Sequence, residues 1–351
     1  MENLIASSVA LLRQLIHTPS FSGEEQQTAA LIKDWFRNHN IPTKSMGNSV
    51  WAKNKHFDST KPTLLLNSNQ DTVKPNAAYT RDPFDPGTSA SVIHGLGSND
   101  AGGALVALMA TFVHFYQKEN LNYNLVVVAS VEEETAGENS LRGILHKLPK
   151  IDAAIVGEPT QMQLAIAEKG LLVFDGYIHG TPGHAAHLNA DNPLYKIPEV
   201  IDWIANFKFE KTGPALGPVK MTLTQIAAGT QHNVIPAKVH FVLDVRVNDG
   251  YTNKELVALL QAQAPCDLQP RSTHLNSSSI SKTHPLVEAG IALGRGTYGS
   301  PTLSDMAALD CPAIKLGPGK SQRSHQADEY ILVEEIDEAI RLYTQLIQNL
   351  K

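Results

Sequence analysis

Acidic residues at the ends of predicted strands and helices are the side chains of this chain with the greatest potential for chemistry. Four acidic motifs occupy such places: Asp71 after the apolar run 63–66, Asp100 before the apolar segment 103–116, the triplet Glu132, Glu133 and Glu134 after 125–129, and Glu158 after 153–156. In open α/β sheets, ligands bind at the carboxyl ends of the strands. The pattern therefore predicts one site that these carboxylates share.

Three consecutive glutamates beside an apolar strand favour a site that contains cations. Buried carboxylates are costly unless they are paired or bound to metal. A pair of divalent ions would supply the missing positive charge, because bound cations are often the largest charges in such sites. His325, near the C-terminus, offers an imidazole ligand for the same site.

Each motif taken alone also has a simpler explanation. A run of glutamates is often a solvated loop, the segment 157–159 can be a plain turn, Asp100 is a typical helix N-cap, and a single histidine such as His325 is usually structural. The presence of all these features in one chain, each at a predicted strand or helix end, favours a metal site over the separate explanations.

Helix and strand patterns alternate along the chain, which is typical of an α/β protein. A helix is predicted to begin at a capping box formed by Ser22 and Glu25. The segment 103–116 is apolar nearly all round, as a buried helix is, and a closing amphipathic helix begins at Val333. Short apolar runs predict strands in a sheet covered on both faces, at 63–66, 125–129, 153–156 and 313–316.

A second pattern occupies the middle of the chain. Strands are predicted at 171–178, 219–226 and 239–247, with helices at 193–207 and from a capping box of Thr252 and Glu255. This order is the split βαβ arrangement of a small α+β domain. The prediction is one α/β domain, residues 1–169 and 280–351, interrupted by an α+β domain, residues 170–279.

The bulk composition excludes several classes of protein. The 351 residues carry a net charge of -6 and 18% charged residues, so no basic surface for nucleic acid is expected. Cys266 and Cys311 form no CxxC pair, which disfavours thiolate zinc sites and disulfide frameworks. No signal peptide and no stretch of 18 apolar residues is found. These features predict a cytoplasmic enzyme of small metabolites, with no membrane or nucleic-acid partner.

Taken in order, these motifs resemble the dinuclear zinc amidohydrolases that include acetylornithine deacetylase, succinyl-diaminopimelate desuccinylase, aminoacylase and glutamate carboxypeptidase. The resemblance covers nearly the whole chain and is closest to short acetylornithine deacetylase-like proteins that deacylate N-acetyl- or N-succinyl-ornithine or -citrulline in arginine biosynthesis. It implies a catalytic α/β/α domain like that of the zinc exopeptidases. It also implies an inserted ferredoxin-like domain that serves as a lid and joins two subunits in a homodimer.

The resemblance further implies roles for the acidic residues. Asp100 would bridge two zinc ions about 3.5–4 Å apart, for which cobalt is a possible substitute. Glu158 would complete the first zinc site, and Glu134 with His325 would complete the second. Glu133 would act as general base and acid. Because neighbours on an extended chain point to opposite sides, one glutamate can hold metal while Glu133 faces the attacking water.

Other residues match the family's substrate-binding positions. The resemblance implies that His184 stabilises the oxyanion in the partner's active site and that Asn233 and Arg246 hold the substrate. A guanidinium suits bidentate capture of an α-carboxylate, although Arg246 could also be a plain surface residue of its strand. Ser304 and Gly319 match loops near the substrate, less specifically.

One position departs from the family pattern. The family's first metal motif reads His, any residue, Asp, whereas this chain has Asn69, Gln70 and Asp71. Asp71 is expected to orient the metal-ligating neighbour, but an amide oxygen is a weak partner for zinc. The sequence therefore predicts a firmly held metal at the second site and a weak or empty first site. It leaves open a metal-poor relative that binds N-acyl amino acids with little turnover, and a dipeptidase or carboxypeptidase of the same fold.

Overall fold

A computed structural model of the protein describes residues 1–350. The chain forms two compact units. The first unit consists of Met1–Ile166, Ser279–Tyr298 and a final segment that begins at Ser304. The second unit consists of Ala167–Ser278 and Gly299–Leu303.

The predicted helices and strands occur in the predicted order, and further short strands and helices lie between them. The N-terminal part contains α1 (Glu2–His17), α2 (Gln26–Asn38), β1 (Lys44–Met46), β2 (Ser49–Lys53), β3 (Thr63–Asn69), β4 (Val92–His94), α3 (Gly103–Phe115), β5 (Asn124–Ser130), α4 (Leu141–Ile144), β6 (Ala153–Val156) and β7 (Leu164–Glu168). The middle part contains β8 (Gly170–His179), β9 (Gly183–His184), α5 (Ile197–Asn206), β10 (Lys220–Ala228), β11 (Val234–Ile235), β12 (Lys238–Val247), α6 (Asn253–Gln263) and β13 (Asp267–Pro270). The C-terminal part contains β14 (Ser278–Ser279), α7 (Pro285–Ala292), β15 (Thr297–Ser300), β16 (Ala313–Lys315), β17 (Tyr330–Leu332) and α8 (Val333–Asn349).

The large sheet of the first unit has the strand order β1-β2-β5-β3-β6-β16-β7-β14, with β15 also paired to β7. Its four central strands β5, β3, β6 and β16 run parallel to one another. Every residue of β3 and β5 is buried, as the continuous apolar runs predicted for a sheet covered on both faces. The carboxyl ends of these parallel strands therefore meet at one edge.

Helix α3 is the apolar centre of the first unit, and the prediction of a buried helix here is confirmed. Eleven of its 13 residues are buried, and α1 and α8 pack against it. The helix starts at Gly103, directly after the segment that carries Asp100. Because a helix buried on all sides cannot shift without opening the core, the position of this acidic segment is fixed by the packing.

The capping box predicted at Ser22 and Glu25 is wrong. Helix α2 begins at Gln26 without a side-chain cap. The Ser22 hydroxyl instead donates to Asp71 Oδ2 at 2.7 Å, and the buried Glu25 carboxylate accepts hydrogen bonds from the Gly23 backbone N–H at 2.7 Å and from Asn48 at 3.0 Å. Contacts with residues distant in sequence have replaced the local helix cap.

The second unit contains a four-stranded antiparallel sheet with the order β10-β12-β8-β13. Strand β12 lies between β8 and β10, so the split βαβ arrangement is present. The alternating apolar residues of β12 are buried, and the capping box of Thr252 and Glu255 at α6 is confirmed. The helix predicted at 193–207 is divided into a 3₁₀ turn at Pro193–Lys196 and α5.

No helix within residues 1–350 is long and apolar enough to cross a membrane.

Candidate metal centre

The ends of the parallel strands carry the acidic residues of the site. Strand β3 ends at Asn69, two residues before Asp71, and β5 ends three residues before Glu133. Strand β6 ends two residues before Glu158. Because these strands are parallel neighbours, their acidic extensions leave the sheet at the same edge, as the sequence predicts.

Asp100, Glu134 and His325 form a compact set of potential metal ligands. One ligand atom from each lies within 4.8 Å of the others, and within residues 1–350 this is the one such group of at least three His, Cys, Asp or Glu side chains. His325 Nε2 is 3.1 Å from Glu134 Oε2 and 3.5 Å from Asp100 Oδ2. Two carboxylates and an imidazole are ligands that zinc takes in proteins, so these residues fit a metal ion.

Glu133 and Glu158 lie close to this group, since the charges of Asp100 and Glu134 act on both of them. Burial raises the pKa of Glu133 well above its usual value, and the charge of Glu158 raises it further. Burial likewise raises the pKa of Glu158, with the Asp100 charge as the next cause. So many carboxylates cannot all ionise in a small buried space unless a cation compensates them, which is a second indication of a metal site.

Glu134 and His325 hold a proton that a metal ion has to displace. The hydrogen bond to Glu134 raises the pKa of His325 to about 9, and burial raises the pKa of Glu134 to about 7. The free pair is therefore protonated at neutral pH. Since metal ligands must lose their protons, binding at this site releases a proton and weakens as the pH falls.

Asp71 holds the segment that carries the two glutamates. Its Oδ1 accepts a hydrogen bond from the Glu133 backbone N–H, and its Oδ2 accepts one from the Glu134 backbone N–H, both at 3.2 Å. Glu133 and Glu134 lie in a turn closed by the Ala136 N–H and the Glu133 carbonyl at 2.9 Å. The expectation that they alternate along an extended chain is therefore wrong, because the turn and Asp71 determine their directions.

Asn69 is a poor component of the predicted first metal site. The side chain is 2% exposed, and its Nδ2 donates to the backbone carbonyl of Asp71 at 3.2 Å. The expected imidazole is absent, so Asp100 and Glu158 are the two strong ligands that this half of the site offers. The residues present do not fit a firmly held ion at the first site.

Glu329 positions Asp100, a role that the sequence patterns did not predict. Its buried carboxylate accepts hydrogen bonds from the backbone N–H groups of Gly97 at 3.2 Å, Asn99 at 2.7 Å and Asp100 at 2.9 Å. Burial raises the pKa of Glu329 to about 8. The one signal in the sequence is its place four residues after His325, in the segment that ends with Asp328 and Glu329.

His325 and Glu132 show backbone strain next to the site. Their φ angles are 58° and 54°, in the left-handed region that non-glycine residues rarely occupy. Such conformations cost of the order of 1–3 kcal/mol and cluster at functional sites, where surrounding contacts maintain them. The strain agrees with a histidine held in place for ligation.

The predicted substrate residues of the second unit lie on its strands and loops. His184 ends β9, is exposed, and accepts a hydrogen bond from the Ala186 N–H at 3.1 Å through Nδ1. Asn233 is exposed and contributes its backbone carbonyl to the Ala185 N–H at 3.0 Å. Arg246 forms a bidentate salt bridge with Asp244, at 2.9 and 3.0 Å. In the absence of substrate, the Arg246 guanidinium is therefore already paired with the Asp244 carboxylate.

Ser304 and Gly319 are parts of tightly packed loops of the first unit. Buried Ser304 caps the turn that begins at Asp305, with its Oγ accepting from the Met306 N–H at 3.3 Å. Gly319 has a φ of +81°, and a Cβ there would approach Asn99 Oδ1 to 2.2 Å. Only glycine fits this position.

Comparison with known proteins shows the family to which the chain belongs. The model of the peptidase family M20/M25/M40 matches residues 65–349, and the chain belongs to this family. An acetylornithine deacetylase from Edwardsiella ictaluri is 28% identical over 99% of this chain and 99% of its own. A succinyl-diaminopimelate desuccinylase from Wolbachia pipientis is 24% identical over 97% of this chain and 92% of its own. The resemblance drawn from the motifs is confirmed.

Solved structures show the same fold. An M20 family metallo-carboxypeptidase from Sulfolobus solfataricus superposes with a TM-score of 0.78 at 18% identity, covering 98% of both chains. A dinuclear metal-binding peptidase of the M20 family from Bacillus subtilis superposes with a TM-score of 0.73 at 16% identity, covering 99% of this chain and 98% of that one. The predicted α/β fold class is confirmed, and the protein is a metal-dependent amidohydrolase or peptidase.

Proposed function

We propose that this protein hydrolyses the amide bond of an N-acyl amino acid with the help of a zinc ion. The observation that carries the proposal is the group of Asp100, Glu134 and His325, whose ligand atoms lie within 4.8 Å of one another, with the half-buried Glu133 beside it. A zinc ion held there would polarise the scissile carbonyl and make a water molecule more acidic.

The chain's own residues then perform the proton transfers. Glu133 takes a proton from the attacking water and gives it to the leaving nitrogen. Its pKa is raised by burial and by Glu158, so a carboxyl here can hold the proton between the two steps. Asp71 fixes the direction of Glu133 through the backbone N–H at 3.2 Å, and His184 is the proposed oxyanion donor.

The proposed substrates are N-acetyl or N-succinyl derivatives of ornithine or citrulline, in arginine biosynthesis. The deacetylase relative supports the acetyl group and the desuccinylase relative supports the succinyl group. Arg246 would bind the α-carboxylate and Asn233 the rest of the amino acid. Because Asp244 pairs with Arg246 in the free chain, the substrate carboxylate has to compete for that guanidinium.

A homodimer formed through the second unit is part of this proposal. Strand β10 is an edge strand of its sheet, and its last five residues are exposed. Ile226 on this strand is 50% exposed, and Ile201 on α5 is 43% exposed. An apolar edge of this kind is suited to pairing with a second copy. Light scattering on the purified chain tests this point, and a monomer at micromolar concentration would contradict it.

The decisive experiment is a hydrolysis assay with zinc or cobalt added. N-acetylornithine, N-acetylcitrulline and N-succinylcitrulline are compared with a panel of dipeptides, and the released amine is measured. Turnover of at least one N-acyl substrate, faster than of any dipeptide, is expected. Cleavage of dipeptides alone would instead establish a second candidate function, that of a peptidase. A relative from Emericella nidulans, 24% identical and named as a probable carboxypeptidase, favours this alternative.

Asn69 supports a third candidate function, that of a binding protein without turnover. A chain that binds N-acyl amino acids but turns none of them over, even when loaded with metal, would be a binding relative of the enzymes. Calorimetric binding of the N-acyl panel, measured beside the assay, separates this outcome from a chain that does not recognise these molecules.

A further inference from the structure

A buried lysine lies at the same sheet edge as the acidic residues. Lys315, the last residue of β16, is only 3% exposed. In the parallel ladder it stands beside Val156 of β6, which in turn stands beside Asn67 of β3. Lysine is rarely buried so deeply unless it meets an acidic group. The position therefore requires carboxylates nearby.

One such carboxylate is Asp305, which covers the same face of the sheet. Its Oδ2 accepts hydrogen bonds from Asn67 Nδ2 at 2.8 Å and from Ser130 Oγ at 2.7 Å. Leu65 and Ala313 belong to the same buried apolar cluster. Asn67 lies two residues after Leu65, and Lys315 lies two residues after Ala313. Since residues two apart on a strand share a face, both side chains point to this side.

The second carboxylate is Glu158. The chain that follows Lys315 runs alongside it, since a Cβ on Gly317 would lie 2.5 Å from the Glu158 carbonyl oxygen and 3.0 Å from its nitrogen. The Leu316 N–H donates to the Val156 carbonyl at 2.9 Å, which fixes the register. The positive charge of Lys315 therefore lies close enough to act on the Glu158 carboxylate.

The half of the site that contains Glu158, the first metal site, also lacks a ligand. Asn69 stands where the family has its histidine, and its amide is hydrogen-bonded to the Asp71 carbonyl. A fixed ammonium beside Glu158 repels a divalent cation, because like charges a few ångströms apart interact strongly when they are shielded from water. The first half therefore has one strong ligand fewer than the family motif, and the positive charge of Lys315 acts on one of the ligands that remain.

We infer that this chain binds a single metal ion, at Asp100, Glu134 and His325, and that Lys315 supplies beside Glu158 the positive charge that a second ion supplies in a dinuclear relative. The inference rests on the metal centre of the proposed function and specifies its composition. It also assigns Lys315 a positioning role, because its charge keeps Glu158 and Asp305 together without a second ion.

The first test counts metal ions on the wild-type chain. Metal-free protein is titrated with zinc in a calorimeter, and after gel filtration the bound zinc is counted by native mass spectrometry. One tightly bound ion per chain is expected. Two ions of similar affinity would overturn the inference and leave the proposed function intact, whereas no bound ion would contradict both. Hydrolysis of the N-acyl panel is measured on the same samples, so the two failures are distinguishable.

The second test asks whether Lys315 excludes the second ion. Asn69→His restores the imidazole, and the dissociation constant of the second zinc ion is compared between N69H and the double variant N69H/K315M. The double variant is expected to bind the second ion roughly tenfold more tightly or better. Equal second-site affinity in the two variants would overturn the role of Lys315.

Two controls keep this comparison informative. N69H/K320M removes an exposed lysine from the same loop region and is expected to match N69H. N69H/K315R keeps the charge and is also expected to match N69H. Near-UV circular dichroism shows whether N69H/K315M folds. If it does not, the numbers of zinc ions bound by N69H/K315R and by the wild-type chain decide the question. A second, tightly bound ion in either of them contradicts the inference.

Discussion

The two halves of the candidate metal centre are built on the same strand ends but are not equally complete. In one half, ligand atoms of Asp100, Glu134 and His325 lie within 4.8 Å of one another. Glu329 fixes the backbone of Asp100 and Asp71 fixes that of Glu134 through hydrogen bonds. In the other half, Asn69 stands where the family motif has a histidine, so the imidazole ligand is absent. The same sheet edge positions both halves. The number of bound ions therefore depends on single side chains and not on the architecture.

Glu133→Gln is expected to have the largest effect on this comparison. Removing the general base lowers kcat by about 10²–10⁴-fold and leaves zinc binding in the complete half unchanged, because Glu133 is not one of its three ligands. Steady-state kinetics and zinc titration measure the two quantities. Glu132→Gln is the matched control, since Glu132 bonds to Asn139 and its loss should leave kcat unchanged. Equal losses in both variants would mean that Glu133 has no special role.

Replacing one residue in each half tests the asymmetry directly. His325→Ala removes a ligand from the complete half and is expected to weaken zinc binding by about 100-fold or more, since even a supporting partner of a ligand is worth about 10–100-fold. Asn69→Ala should leave the tight ion in place. Calorimetry on both variants gives the affinities, and a similar loss in both would show that the two halves hold one shared ion.

Restoring the missing imidazole is expected to have a smaller effect. Asn69→His should raise zinc occupancy partly and increase kcat/KM by about 10–100-fold, because the first half regains a ligand and Asp71 regains a partner to orient, whereas Lys315 still keeps the second ion weakly bound. Zinc content and hydrolysis rate are measured side by side. No change in either quantity would show that Asn69 is not the reason for the weak half.

The pH dependence of stability should show the smallest effect. Burial raises the pKa of Glu329 to about 8 and the Glu134 hydrogen bond raises that of His325 to about 9. Both groups bind protons more tightly in the folded chain than in the unfolded one, so their contribution is complete at low pH and is lost as the pH rises through these values. Metal-free protein should lose roughly 1–3 kcal/mol of unfolding free energy between about pH 5 and 9.

Urea unfolding at several pH values, with a chelator present, measures this trend. Added zinc should reverse it at high pH, because the ion replaces the lost protons in the complete half. Stability that stays level or rises over this pH range in the metal-free chain would contradict the crowding of acidic groups inferred for the centre.

Much of the architecture follows from the sequence alone. The buried helix α3, the strands β3, β5 and β6, and the alternating β12 were all predicted, because burial on one or both faces leaves a periodic pattern in the residues themselves. The placement of the acidic motifs at strand ends was predictable for the same reason. The loss of the histidine at Asn69 could be read directly from the motif.

Side-chain partners were decided by the tertiary structure. Ser22 and Glu25 carry a sound capping signal, yet they bond to Asp71 and Asn48. Glu329 supports Asp100 across more than 200 residues of chain, and Lys315 is brought beside Glu158 by a parallel ladder. Periodicity reports which face of an element is buried, but it contains no information about which distant polar group will satisfy a given hydrogen bond or charge. Only the folded sheet, by bringing separate strand ends together, makes that choice.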